Sequence, residues 1–144
     1  MAAVDDLDEL LEQFHLARAE IVRGNPEPQK QIFSHRDDVS LLNPLVPVSH
    51  GWEQVARTLE DAASQIRDGE VQSIENIVTY ATDELGFIVE LERARFKVGG
   101  KDDFAPIALR VTTVFRVEDG AWRIVHRHAD PLTPIRTAES ITQG

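Results

Sequence analysis

The chain has 144 residues, the size of one ordinary domain with no room for a second independent core, and its 42% hydrophobic and 28% charged residues exclude a wholly disordered chain. Twenty-five acids against fifteen bases leave a net charge of -10, which repels nucleic-acid phosphates and anionic membrane surfaces, and no local basic patch offsets it. The chain contains no cysteine, so disulfides, thiolate nucleophiles and cysteine-ligated metals are excluded.

The first predicted element is a helix from Val4 to Ile21, in which Leu7, Leu10, Leu11, Phe14, Ala17 and Ile21 form one apolar stripe. Asp5, Asp6 and Asp8 complement its positive N-terminal end, and Gly24-Asn25-Pro26 stops it. A shorter helix follows over Glu27 to Phe33. Val39 to Leu42 reads as a short strand that runs into an irregular loop carrying Pro44 and Pro47. A third helix carries Trp52, Val55, Leu59, Ala62, Ala63 and Ile66 on one face, with Asp68-Gly69 as its C-terminal signal.

The hydrophobic period then shortens toward two, and four strands are predicted: Val71 to Thr82, Gly86 to Val98, Ile107 to Val117 and Trp122 to Ala129. Asp119-Gly120 is a strong hairpin signal, and the short links predict an antiparallel meander. Helices followed by strands give an α+β fold with three N-terminal helices packed on one face of a curved antiparallel sheet. Residues 1–144 form one domain, with 131–144 as a C-terminal arm. The acidic N-terminus lacks a secretory signal's basic start, and no apolar run approaches the roughly 20 residues of a membrane span, so a cytoplasmic location is expected.

Strict alternation puts Ile107, Leu109, Val111, Thr113, Phe115 and Val117 on the inward face of the third long strand. The same rule puts Trp122, Ile124, His126 and His128 inward on the last strand, and Arg123, Val125, Arg127 and Ala129 outward. His126 and His128 are therefore the catalytic candidates, since imidazole exchanges a proton near neutral pH. The competing reading is a structural pair satisfied by neighbouring acceptors. A metal is not expected, because no carboxylate third ligand is clearly placed beside His-x-His. Asn43, Trp52 and Tyr80 supply an amide, an indole N–H and a phenol for a small, mainly apolar ligand, although Trp52 also reads as a core anchor. Asp38 and Asp130 read as exposed turn acids. Glu90, Glu92, Arg93 and Arg95 read as a solvated face or subunit contact. No Gly-rich phosphate loop, Gly-x-Ser-x-Gly elbow or His-Glu-x-x-His motif occurs, and no cofactor is expected.

The stretch HRDDVSLLNPLVPVSHGWEQVARTLEDAA resembles the SnoaL-like pattern of paired acids, strand, proline loop and helix, and DGAWRIVHRHADP is similar to that family's double-histidine final strand. The resemblance spans about residues 5 to 132 and implies the cone-shaped, cystatin-like fold of the nuclear-transport-factor-2-like superfamily. Its members include isomerases, cyclases, dehydratases, transport factors and oligomerisation modules, so fold leaves the activity open. In related ketosteroid isomerases a carboxylate precedes the loop proline, and a helix tyrosine and a sheet acid bind the oxyanion. Here those positions carry Asn43, Ala17 and Thr113, and the carboxylate-base isomerisation is expected to be absent. Thr113 is thereby a substrate-binding candidate. The expected assignment is a small-molecule-binding protein, with acid-base isomerase, cyclase or lyase activity or a noncatalytic association role as alternatives. A homodimer through the outward sheet face is expected, Val114 and Ile88 lying there with Arg110 and Arg116.

Overall fold

The computed structural model describes residues 6–142; Val4 and Asp5 of the expected first helix lie outside them. Helix α1 (Leu7–Ile21) is capped by Asp6, whose carboxylate accepts hydrogen bonds from the backbone N–H groups of Asp8 and Glu9. It buries Leu10, Phe14, Ala17 and Ile21, and also Arg18, a cation on the apolar stripe. Helix α2 (Glu27–Ile32) follows the Gly24-Asn25-Pro26 stop. The proline loop expected next is a hairpin of β1 (Ser40–Asn43) and β2 (Val46–His50). Proline is tolerated in β2 because that strand is a sheet edge.

Helix α3 (Trp52–Ser64) comes after this hairpin, so only two of the three helices precede the first strand. It ends short of the expected Asp68-Gly69. Those two residues belong instead to β3 (Ile66–Ala81), where a register shift falls between Arg67 and Glu70 and Asp68 adopts φ 57°. Strands β4 (Leu85–Val98), β5 (Ala105–Glu118) and β6 (Ala121–Pro131) complete one sheet in the order β2-β1-β6-β5-β4-β3. The β3 to β6 run is the expected antiparallel meander, but β1 pairs with β6 in parallel, so the sheet is mixed. At the β5–β6 turn Asp119 and Gly120 both have positive φ, 53° and 81°, the type I′ geometry that matches strand twist.

Phe14, Phe33, Leu59, Ile88, Phe115 and Ile124 sit in the core where the helices cover one face of the curved sheet. On β5 the odd positions face inward as expected: Leu109, Val111, Thr113 and Phe115 are all buried. On β4 the inward set is even, Ile88, Glu90, Glu92 and Ala94, so Ile88 does not belong to the outer face as expected.

The last strand departs from simple alternation. Val114 pairs with His126 but Phe115 pairs with Ile124, which leaves Val125 as an extra residue in a β-bulge. Trp122 and Ile124 face inward before the bulge, and Arg127 and Ala129 face inward after it. A one-residue slip exchanges faces, so the expected inward placement of His126 and His128 is corrected to the outer face, and the expected outward placement of Arg127 to the inner.

Candidate functional site

Between α1, α3, the β1–β2 turn and the sheet lies a cavity of about 190 Å³. Ile21, Leu59, Phe96, Ile107 and Leu109 provide apolar wall, and Arg18, Glu92 and Arg127 form a charged inner wall. Helix spacing directs Arg18 inward four residues after Phe14, and strand alternation directs Glu90 and Glu92 toward it.

Arg18 grips Glu92 with the Nε edge of its guanidinium, Nε to Oε1 at 2.9 Å and Nη2 to Oε2 at 3.0 Å. Its Nη1 donates to Gln29 Oε1 at 3.1 Å. Burial disfavours the Glu92 carboxylate, but the charges of Arg18, Arg127 and His15 outweigh that cost and hold it at about 2. Next to this pair, His15 Nε2 donates to the Glu90 oxygens at 3.1 and 3.0 Å. That hydrogen bond raises the His15 pKa against the opposing effect of burial.

Arg127 has no such partner. It is 3% exposed, and among the described residues neither its Nε nor its Nη2 meets a hydrogen-bond acceptor. Burial, then the Arg18 charge, presses its pKa down to about 9 against the pull of Glu92 and Glu90, which still leaves a cation at neutral pH. Thr113 pairs across the strands with Arg127 and is fully buried, and among the described residues its Oγ1 has no partner.

The residues expected to form one site are dispersed. Asn43 lines the cavity, but its Oδ1 accepts from the backbone N–H groups of Leu45 and Val46 at 2.9 and 3.1 Å and so shapes the β1–β2 turn. Trp52 stacks on His35 with ring centroids 3.8 Å apart, away from the cavity wall. Tyr80 is exposed beside Phe87 on the outer face. His126 Nδ1 shares a hydrogen bond with Ser40 Oγ at 2.7 Å, and burial followed by the His128 charge lowers its pKa. His128 Nε2 lies 3.3 Å from Asp130 Oδ2, and Asp38 pairs with Arg116. Of the expected polar residues only Asn43 lines the cavity; Thr113 is buried on the strand beside Arg127 and does not line it.

Sequence reasoning missed Arg18, Glu90, Glu92 and Arg127. A signal for three of them existed: Arg18 falls on the stripe of α1, and Glu90 and Glu92 alternate in phase with Ile88 and Ala94, leaving two buried carboxylates in need of partners. Arg127 was hidden by the bulge.

The pattern described as "SnoaL-like domain" matches residues 7–134. A nuclear transport factor 2-like superfamily protein from Salmonella enterica serovar Typhimurium superimposes with TM-score 0.75 at 15% identity, over 91% of this chain and 92% of that one. A ketosteroid isomerase-like protein from Erwinia carotovora gives TM-score 0.73 at 14% identity, over 89% and 95%. An uncharacterized protein with a cystatin-like fold from Caulobacter vibrioides gives 0.67 at 18%, over 90% and 89%. At such identities the likeness is one of fold alone. No curated protein sequence matches the chain.

Proposed function

The chain belongs to the SnoaL-like domain family, and from that premise we propose that it is a cytoplasmic small-molecule-binding domain whose cone-shaped interior takes a small, mainly apolar organic ligand. The observation that carries this reading is the 190 Å³ cavity itself, apolar over most of its wall and charged at its inner end. Its volume sits near the roughly 150 Å³ of an apolar cavity that holds benzene, which favours a single-ring or short branched molecule over a steroid.

Binding without chemistry is favoured over acid-base turnover by one further observation. Among the described residues that line the cavity, Glu92 is the only carboxylate, and Arg18 occupies both its oxygens while holding its pKa at about 2. Such a group is a poor proton acceptor near neutral pH. Asn43 supplies an amide with its oxygen already engaged in a turn. Acid-base work by His126 and His128 would take place on the opposite face of the sheet. The proposal also includes a homodimer through that outer face, where Phe87, Val89 and Leu91 form a half-buried apolar row on β4 next to Val114.

Native mass spectrometry of the purified protein, with extraction of whatever it retains, tests the ligand and the assembly together. A released organic molecule is expected, and Ala62→Phe, which adds bulk from α3 into the cavity, should abolish its retention while the protein stays folded. A ligand still held at full occupancy by the folded Phe variant would place binding elsewhere.

A further inference from the structure

Buried cations in folded proteins are normally paired, because removing a guanidinium from water is costly unless its donors are satisfied. The inner wall of the cavity carries Arg18, Arg127 and Glu92, and the His15–Glu90 pair is buried next to it. Arg18 is matched with Glu92 by two hydrogen bonds, and His15 with Glu90. Arg127 is left as the surplus charge. Among the described residues its Nε and Nη2 are buried without an acceptor, although the same edge of Arg18 clasps a carboxylate.

We infer that Arg127, which lines the cavity, is the anchor for the carboxylate of a small organic acid, which enters with its apolar body against Ile107, Leu109 and Phe96 and its carboxylate on the cavity side of the guanidinium. The inference rests on the reading of the cavity as a ligand site and specifies the ligand's class. The geometry favours an anion over a cation because Arg127 lines the cavity with no ion-pair partner among the described residues, whereas both Glu92 acceptor oxygens are occupied. A planar two-oxygen group matches the planar guanidinium edge. The apolar walls favour an organic acid over a free inorganic ion, which would lose its hydration there without gaining contacts. Arg127 is complementary to the ligand's charge and meets no acceptor among the described residues, so it is a binding residue and not a proton carrier.

The experiment compares benzoate with benzamide, an uncharged isostere, by isothermal titration calorimetry at neutral pH on the full chain. The wild-type protein should prefer benzoate by roughly 10-fold to 100-fold, the usual worth of hydrogen bonds to a charged group. Arg127→Met should lose that preference by weakening benzoate while leaving benzamide nearly unchanged. Arg127→Lys, which keeps the charge without the two-pronged edge, should fall between them. Thermal unfolding of the unliganded Met variant gives an independent readout. It should melt no lower than the wild type, because an unpaired buried cation has been replaced by an apolar side chain of similar length.

Equal binding of the two probes by the wild type, or a benzoate preference retained in folded Arg127→Met, would overturn the inference and leave the cavity as a neutral-ligand site. A Met variant that melts markedly lower would show that Arg127 is held for structural reasons. Should the Met variant not fold, the wild-type comparison decides alone. Failure of both probes to bind folded wild-type protein at millimolar concentration also overturns the carboxylate assignment, while the retained-ligand experiment judges the cavity reading separately.

Discussion

Glu92 is buried, ionised and clasped by one arginine, so its removal has two separable consequences. In Glu92→Gln the Arg18 charge loses its counter-ion inside the protein, and the expected cost is about 3 to 5 kcal/mol in urea denaturation at neutral pH. The same pair sets a pH dependence. The carboxyl titrates at about 2 in the folded protein against an ordinary 4.5, so the folded state binds this proton less readily than the unfolded one. Its contribution is therefore complete above about pH 4.5 and is lost as the pH falls from there toward 2. Acid unfolding followed by circular dichroism should show a stability loss over that window in the wild type that is much smaller in Glu92→Gln. Equal slopes would mean that the pair does not govern acid stability. The residue identities were legible in the sequence, but their pairing was not, since Arg18 and Glu92 lie 74 positions apart.

Two bulges decide how the elements present these side chains. At Val125 the extra residue turns Arg127 into the cavity and His126 outward, and the sequence carries a trace of it: the apolar set Trp122 and Ile124 changes phase at Val125 and continues at Ala129. An alternation rule that assumes an uninterrupted strand reads past this shift. The second irregularity lies in β3, where Gly69 N–H donates to the Val22 carbonyl at 3.0 Å and joins the strand to the end of α1. A Cβ here would run into that carbonyl oxygen and approach the Arg95 carbonyl oxygen to 2.9 Å. Gly69→Ala is therefore expected to cost about 1 to 3 kcal/mol, read as a lower urea midpoint. An unchanged midpoint would show that β3 yields there without penalty. The glycine was visible as a break in the helical pattern, but its reason is tertiary: backbone from α1 and β4 passes close on both sides.

At the scale of the whole molecule the sheet has two unlike faces. The inner one is covered by helices, while the outer one carries Phe87, Val89 and Leu91 in a row beside Val114, edged by Arg110, His128 and Asp130. Paired with a second copy about a two-fold axis, such a face buries the apolar row and leaves the charged edge at the rim. Light scattering should report a dimer at micromolar concentration, and Val89→Asp, which sets a charge in the middle of the row, should shift it to monomer without lowering the fold's content of secondary structure. A wild-type monomer at high concentration would defeat the dimer, and an intact Asp-variant dimer would move the contact to another surface.

The sequence by itself determined the family and every long element, though not the edge strand β2 or the end of α3, because these rest on local signals: the helical stripe of α1, the two-residue period of β4 and β5, the Asp119-Gly120 turn, and the strand, proline-loop and helix succession around Asn43. The β1 to β6 pairing, the bulge at Val125 and the inward turn of Glu90, Glu92 and Arg127 were decided only by tertiary structure. Parallel pairing joins segments some 86 positions apart, as Ser40 with His126 shows, and no local pattern reports such a contact. A single added strand residue reverses every side chain beyond it, so which of His126, Arg127 and His128 meets the cavity depended on a register that neighbouring strands impose.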